Sequence, residues 1–171
     1  DSLLSGYKFE NYAFTKLRSV FHARTGKEFT DDDYESWGIV SADGRLTNAG
    51  ALLADESPVR HSRIFCTRWN GLDQAHGIMD ALDDMEVSGS LVILLQEGLD
   101  FCRRNSKKMW YKTPDGRVEL PGYPEDSILE GLVNALIHRS YIEIGGEVHI
   151  DIFDNRIEIS SPGGMYENKP V

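Results

Sequence analysis

Apolar residues recur at spacings of three and four along the first part of the chain. Over residues 9–25 this spacing puts them on one face, which predicts an amphipathic helix closed by a glycine. Thr30, which precedes three aspartates, predicts the N-cap of a short second helix, and Thr47 predicts the N-cap of a third. Residues 1–58 are therefore predicted to form a small helical unit.

Beyond Pro58 the pattern changes toward β-structure. Residues 62–69 have a composition rich in β-forming side chains, which predicts a strand. Residues 74–87 give an ambiguous pattern, in which a further strand around Ile78 or Met85 is one interpretation. Ser88 is then predicted to cap a long helix over 91–104, whose leucines share one side.

The remainder of the chain predicts two hairpins with a helix between them. The first hairpin covers residues 108–120, and an apolar-faced helix follows over 124–138. The second covers 147–160, with apolar and polar side chains in strict alternation, so that one face is buried and the other is wet. Residues 59–171 are therefore predicted to form an α/β (α+β) domain, a mixed sheet covered by helices mainly on one face.

Charge and composition narrow the classes of function. The chain has 171 residues with 18 basic and 28 acidic side chains, a formal net charge of −10. Nucleic-acid-binding surfaces are basic, so we expect any DNA contact to lie in regions outside this chain. The longest apolar run, 91–95, is too short to span a membrane.

The two cysteines and the first residue bear on where the protein works. Cys66 and Cys102 stand far apart in sequence and outside any paired motif, which predicts two buried thiols in a reducing cytoplasm. A chain that begins with Asp1 rather than Met is expected to be a fragment of a longer protein.

Glu130 and Asn134 stand four residues apart on the 124–138 helix. Side chains at this spacing project from one face, one turn apart. An amide oxygen is a hard ligand and a carboxylate can orient water, so the pair could share a hydrated Mg²⁺. The same spacing occurs in many helices where the glutamate is solvated and the asparagine makes a hydrogen bond at the helix edge. Spacing alone leaves both interpretations open.

Longer runs around this pair carry a resemblance to a known family. The runs are residues 134–139 (Asn-Ala-Leu-Ile-His-Arg), 156–164 (Arg-Ile-Glu-Ile-Ser-Ser-Pro-Gly-Gly) and 46–53 (Leu-Thr-Asn-Ala-Gly-Ala-Leu-Leu). They resemble the bacterial and archaeal predicted transcriptional regulators called helicase-related or "divergent AAA" proteins, over most of residues 45–164. The C-terminal part of that family looks like the ATP-binding fold of gyrase, Hsp90, histidine kinases and MutL. The resemblance implies a partial fold of this kind, ending before its lid.

The resemblance implies roles for particular residues. Asn134 would hold Mg²⁺ against the phosphates of ATP, and Glu130 would be the candidate general base for hydrolysis. Gly163 and Gly164 would lie beside the adenine, where absent side chains let the base approach the backbone. The alternative for these two glycines is a plain turn after an edge strand. Ser161 stands where the family has an aspartate that accepts from the adenine amino group. A hydroxyl lacks that charge, so we expect no tight binding of ATP or Mg²⁺ to this chain.

His138 and Arg139 close the 124–138 helix. They could contact phosphates or a partner strand, or they could cap the last carbonyls of the helix, as cationic side chains at this position do.

A separate metal site is conceivable on the polar side of the second hairpin. Glu147, His149 and Asp151 alternate along one strand, and Glu158 lies on its partner. These are ligand-type residues. Solvated strands often carry the same pattern, so a plain wet face is the alternative.

Three functions follow from these observations. The first is a nonenzymatic sensing or dimerising segment of a transcriptional regulator, with a degenerate ATP-binding-like domain. The second is a genuine Mg-ATP-binding ATPase that uses Glu130 and Asn134. The third is a protein-interaction domain that pairs through an exposed strand edge at 156–161, for which we expect a homodimer.

Overall fold

The computed structural model describes residues 4–74, 80–139, 141 and 146–162. Five α-helices lie in this part of the chain: α1 (Thr15–Thr25), α2 (Asp31–Ser36), α3 (Asn48–Leu53), α4 (Leu91–Asn105) and α5 (Glu125–Ile137). It also contains eight strands: β1 (Leu4–Lys8), β2 (Arg45–Thr47), β3 (Arg63–Trp69), β4 (Ala81–Ser88), β5 (Lys108–Thr113), β6 (Gly116–Pro121), β7 (Val148–Ile152) and β8 (Ile157–Ser160). The fold is mixed α/β, as predicted.

The chain divides into two compact units. One comprises Asp1–Arg63 with Ser88–Leu94, and the other comprises Ile64–Val87 with Leu95–Val171.

The first unit has an aromatic core built by its short helices. Phe14, Phe29 and Tyr34 are buried together, and their rings meet mainly edge to face. The helical prediction holds for α1, α2 and α3 but was wrong over residues 9–14, since α1 begins only at Thr15. A short 3₁₀ helix covers Phe9–Asn11, and the unpredicted strand β1 precedes it, antiparallel to β2. The apolar side chains whose spacing predicted a helix pack against this core from a segment that is not α-helical.

The predicted N-caps of the first unit are confirmed. Thr30 forms a capping box with Asp33 at the start of α2. The Thr47 hydroxyl accepts a hydrogen bond from the Gly50 backbone N–H at 3.0 Å, which begins α3. A Cβ on Gly50 would lie only 2.1 Å from the Ile39 carbonyl oxygen, so this close approach of backbone to backbone requires glycine.

The second unit is built on a four-stranded sheet with the order β4-β3-β7-β8. β3 is parallel to β7, and β7 is antiparallel to β8, so the sheet is mixed as predicted. Burial alternates strictly along β3, where Ile64 and Cys66 are buried and their neighbours are half-buried. The strand predicted near Met85 is confirmed as β4, whereas Ile78 lies outside the described residues.

Helices α4 and α5 pack on the same face of this sheet. A Cβ on Gly98 of α4 would lie 3.1 Å from Ile150 Cδ1 and 3.2 Å from Ile64 Cδ1, so α4 approaches two strands closely.

The cap predicted for α4 was wrong by two residues. Ser90 begins the helix, because its carbonyl accepts from the Leu94 N–H and its hydroxyl from the Ile93 N–H.

Both predicted hairpins are present. β5 pairs with β6 in antiparallel register, and β7 pairs with β8 around a turn at residues 153–156. The guanidinium of Arg68, nearly buried, donates to the Asp154 carboxylate at 2.6 Å and holds this turn.

Among the described residues no helix combines the length and the apolar character needed to cross a membrane.

Candidate functional site

A cleft of about 340 Å³ lies between α5 and the end of β8 in the second unit. Its floor is formed by apolar side chains and a glycine, and its rim is polar. The floor consists of Gly131, Ala135, Ile159 and Pro162. The rim consists of Asn134, His138 and Ser161. Three residues that the sequence analysis singled out therefore meet at one cleft.

The rotation of α5 decides which side chains reach this cleft. Leu132 and Leu136 are buried against the rest of the unit, and this packing turns the opposite side of the helix outward. Asn134 and His138 are one turn apart on that outer side and both are exposed. Core packing of the helix thus presents an amide and an imidazole to the same opening.

The close approach of α5 to β8 depends on Gly131. A Cβ built on this residue would lie 3.1 Å from Ile159 Cδ1, tighter than an ordinary van der Waals contact. The missing side chain also leaves the floor of the cleft open one turn before Asn134. A larger residue here would both push the strand away and fill the cleft.

Ser161 ties the end of β8 to the helix. Its hydroxyl donates to the Ala135 backbone carbonyl at 2.9 Å. The hydroxyl proton is therefore used in this hydrogen bond, whereas the lone pairs of the hydroxyl oxygen can still accept one. An aspartate at this position would place a carboxylate against the same carbonyl, so the serine and this contact are chemically matched.

Asn134 and His138 make no side-chain hydrogen bond or ion pair with the part of the chain that the structure describes. Neither side chain is therefore needed to hold α5 in place through a polar contact. An exposed amide and an exposed imidazole over an apolar floor can each receive a ligand without breaking an existing bond. The imidazole can donate or accept, and the amide oxygen can coordinate a hard cation.

Glu130 lies on the outer side of α5, one turn before Asn134, and is exposed. It is not among the side chains that line the cleft. The structure thus places the candidate base next to the candidate magnesium ligand along the helix but outside the opening where Asn134, His138 and Ser161 meet.

Arg139 is directed away from the cleft. It is 5% exposed, donates to the Gly146 carbonyl at 2.5 Å, and places its guanidinium 4.4 Å from the centre of the Tyr141 ring. These contacts give it a structural position at the end of α5. Gly163 and Gly164 lie outside the described residues.

The cleft fits a magnesium–nucleotide complex in part. Its volume is at the lower end of the roughly 300–1,000 Å³ of small-molecule sites. The floor offers apolar surface to a base, Ser161 offers an acceptor, and Asn134 offers an amide oxygen to a cation. No carboxylate lines the cleft within the described residues. The negative charge that Mg²⁺ requires would therefore come from the phosphates, which fits weak binding better than tight binding.

The polar face of the second hairpin is occupied by other contacts. His149 stacks on Phe65 with ring centres 5.3 Å apart, and Asp151 accepts a hydrogen bond from the Trp69 indole at 2.6 Å. Glu158 accepts from Arg156 at 2.5 Å. Across the residues that the structure describes, no group of three or more histidines, cysteines or acids is placed to hold a metal ion.

The two cysteines are free and buried, as predicted. Burial raises the pKa of the Cys66 thiol to about 12 and that of Cys102 to about 11. Both therefore stay protonated at neutral pH and lack the thiolate that nucleophilic or metal chemistry requires.

Sequence reasoning missed the floor of the cleft. Gly131, Ala135 and Ile159 looked like ordinary packing residues, and only the pairing of α5 with β8 makes them a surface. One feature could have indicated it, since Gly131 and Ala135 are small residues one turn apart beside Asn134.

Comparisons with known proteins give a local match and a match of fold. A family model described as "Putative ATP-dependent DNA helicase recG C-terminal" matches residues 145–171. No curated protein matches the chain. A solved structure, the DIP2311 protein from Corynebacterium diphtheriae, is similar with a TM-score of 0.72 and 19% identity over 96% of this chain. The chain spans 33% of that protein's length. This level of identity shows the fold alone, and the family match supports an ATPase-like fold at the C-terminal end.

Proposed function

We propose that this chain is a sensing segment of a bacterial transcriptional regulator, in which a degenerate ATPase-like domain binds a magnesium–adenine nucleotide weakly and without turnover. The protein would act in the cytoplasm as a homodimer, and DNA would be contacted by regions outside this chain. The observation that carries the proposal is the meeting of Asn134, His138 and Ser161 at the cleft between α5 and β8.

Two features, one of the sequence and one of the structure, support the binding of a nucleotide. The motif runs at 134–139 and 156–164 resemble those of regulators with an ATP-binding-like fold, and the family model covers residues 145–171. Asn134 and His138 of the first run and Ser161 of the second line one apolar-floored opening, which supports the proposal. A bound nucleotide would supply the phosphates that hold the cation. The chain would supply the Asn134 amide oxygen and the Ser161 acceptor.

The position of Glu130 favours binding over hydrolysis. A general base must lie within hydrogen-bond reach of the water that it activates. Glu130 does not line the cleft, and the polar side chains that do are an amide, an imidazole and a hydroxyl. Ligand binding could instead change how the end of β8 is tethered to α5, since Ser161 lies in both the cleft and the tether.

A titration followed by ¹⁵N–¹H NMR tests this proposal. Addition of Mg-ATP to the chain, at constant free Mg²⁺, should shift the amide signals of residues 131–138 and 159–161. Asn134→Ala should abolish the saturable shifts, while Gln96→Ala, an exposed amide removed from α4, should leave them unchanged. Shifts that are absent, scattered over the chain, or equal in Asn134→Ala would contradict the proposal.

An active ATPase is the second candidate, favoured by the exposure of Glu130 one turn from Asn134. It requires phosphate release from Mg-ATP that Glu130→Gln abolishes. Binding without phosphate release, in the presence of an intact Asn134, would favour the sensing function.

Pairing through the edge of β8 is the third candidate. β8 is an outer strand of the four-stranded sheet among the described residues, and its backbone edge could accept a strand from another chain. This candidate expects a dimer that Ile157→Lys dissociates, with circular dichroism to verify that the variant is folded. Duplex DNA at physiological salt should not bind the chain, because its net charge is −10.

A further inference from the structure

The hairpin formed by β5 and β6 exposes an apolar face. Paired residues of an antiparallel ladder share a face, so Met109 lies beside Leu120 and Tyr111 beside Val118. These four side chains are exposed by 63, 45, 51 and 36%, respectively. A lone two-stranded hairpin is only marginally stable in water, and uncovered apolar faces mark interaction sites.

The opposite face of the same hairpin is basic. Lys112 lies beside Arg117, and Trp110 lies beside Glu119. The Arg117 guanidinium lies 4.7 Å from the centre of the Trp110 ring, which is half exposed. The hairpin is therefore two-sided, with apolar side chains on one face and cationic and aromatic side chains on the other.

The charge of this hairpin is opposite to that of the rest of the molecule. Residues 107–121 contain four basic and two acidic side chains. The remaining residues hold 14 of the 18 basic and 26 of the 28 acidic side chains. A surface that complements the hairpin is therefore available on another copy of this chain.

β4 provides a surface of the matching kind. It is the outer strand of the four-stranded sheet opposite β8, among the residues that the structure describes. Leu82, Asp84 and Glu86 are exposed on one of its faces. Met85 and Val87 are half-buried on the other, where Asp83 contacts Arg104 and Asn105 of α4. β4 thus has an acidic outer face and an apolar inner face, joined by an open backbone edge.

We propose that the β5–β6 hairpin of one copy adds to the β4 edge of a second copy, and that the reciprocal contact closes a dimer. Strand addition at this edge places the cationic face, with Lys112 and Arg117, beside Asp84. The apolar face, with Tyr111 and Val118, then continues the half-buried face of Met85 and Val87. This orientation matches both faces of the hairpin better than the reverse, which would place its apolar side chains beside the exposed Asp84 and Glu86.

The charge distribution favours a second copy over nucleic acid. The cationic face of the hairpin carries few basic residues, and Arg117 is already paired with Glu119 at 2.9 Å. A nucleic acid would approach a chain of net charge −10, whereas β4 offers acids and apolar surface together. The inference does not depend on the proposed nucleotide site, because none of the hairpin or β4 residues lines that cleft.

Sedimentation equilibrium with paired charge reversals tests the interface. The chain should form a dimer whose dissociation constant rises with salt. Lys112→Glu with Arg117→Glu should raise that constant at least tenfold, and Asp84→Lys should do the same. Combining the three substitutions should restore most of the affinity, because the charges are again complementary. Glu97→Lys, the same kind of charge change on an exposed residue of α4, should have little effect.

Three results would overturn the proposal. One is a chain that is monomeric at low salt and high concentration. Another is a dimer that Ile157→Lys dissociates and the hairpin variants do not, which would locate the contact at β8. The last is binding of a single-stranded oligonucleotide at physiological salt that the hairpin reversals abolish and Asp84→Lys leaves intact. Tyr111→Ser checks the apolar face, and it should weaken the dimer by a factor that does not depend on salt.

Discussion

The two sides of α5 differ in the burial and the contacts of their side chains. On the inner side Leu132 and Leu136 are 0 and 2% exposed, and together with the strands they form the core of the second unit. On the outer side Glu130, Asn134 and His138 are exposed, and their side chains make no polar contact with the described part of the chain. One helix of 13 residues therefore carries a side that the fold requires and a side that it does not.

This difference indicates where function is to be sought. Residues on the inner side are explained by packing, since each buried aliphatic side chain contributes about 1.5–3 kcal/mol to the free energy of unfolding. Asn134 and His138 gain nothing comparable from the fold, and they border the cleft. The predictions below test whether the two sides are as separate as the contacts indicate.

The largest effect is expected for a truncation on the inner side. Leu132→Ala should lower the free energy of unfolding by about 2–5 kcal/mol, because it leaves a cavity between α5, α4 and the sheet. Ile137→Ala is the matched control, as Ile137 lies on the same helix and is 61% exposed. It should change the free energy of unfolding by less than about 0.5 kcal/mol. Urea denaturation followed by circular dichroism measures both, and equal losses would refute the two-sided description of α5.

The second prediction concerns Tyr141, whose hydroxyl contacts the C-terminal turn of α5, at high pH. The Tyr141 hydroxyl donates to the Leu136 carbonyl at 2.7 Å, and burial raises the pKa of Tyr141 to about 12. The unfolded chain loses this proton near pH 10. Between pH 10 and 12 the folded state therefore binds more protons, so stability is complete below pH 10 and falls as the pH rises through this window.

The expected loss from Tyr141 is up to about 2 kcal/mol at pH 12, and Tyr141→Phe should remove this part of the pH dependence. The substitution also deletes one hydrogen bond, which should lower stability by about 1 kcal/mol at pH 8. Tyr111→Phe, at an exposed position of β5, is the matched control variant. Urea midpoints at pH 8, 10 and 11 measure the slope, and an unaltered slope in Tyr141→Phe would show that the phenol is not protected by burial.

Much of the fold could be predicted from local sequence chemistry. Thr30 and Thr47 predicted helix starts because an N-cap hydroxyl satisfies backbone N–H groups regardless of tertiary context. The alternation in β7 and β8 predicted a half-buried hairpin because the strand period alone determines which side chains share a face. Residues 9–14 were wrongly assigned to a helix, and β1 was missed because it depends on its pairing with β2, about 40 residues later. Such long-range pairing leaves little trace in local spacing.

The cleft was predictable only in part for the same reason. The resemblance selected Asn134 and Ser161, the end of the helix selected His138, and the structure brings the three together. Arg139 was selected with them, and its position at the end of the helix could not show that it bends back to Gly146 and Tyr141. The contribution of Gly131 could not be foreseen, because it depends on how closely Ile159 of another element approaches.

The third prediction concerns the link between the outer side of α5 and β8. Ser161→Ala removes the hydrogen bond to the Ala135 carbonyl and should lower the free energy of unfolding by about 0.5–1 kcal/mol. Ser160→Ala, an exposed neighbour at the end of β8, should cost less. Hydrogen exchange of the β8 amides should rise in Ser161→Ala alone. If both variants exchange alike, the hydroxyl does not tether the strand.

The smallest effect on stability is expected on the outer side itself. Asn134→Ala should change the free energy of unfolding by less than about 0.5 kcal/mol, and toward greater stability, because alanine is the better helix former. Glu130→Gln keeps the shape of the side chain and should leave stability unchanged. A loss of more than about 1 kcal/mol in Asn134→Ala would mean that the amide serves the fold, and the case for a ligand at the cleft would lose its basis. A neutral or stabilising result, together with lost nucleotide-induced NMR shifts, would separate binding from folding at one residue. Such a residue lowers helix propensity without serving the fold, which is expected of a position whose role is binding.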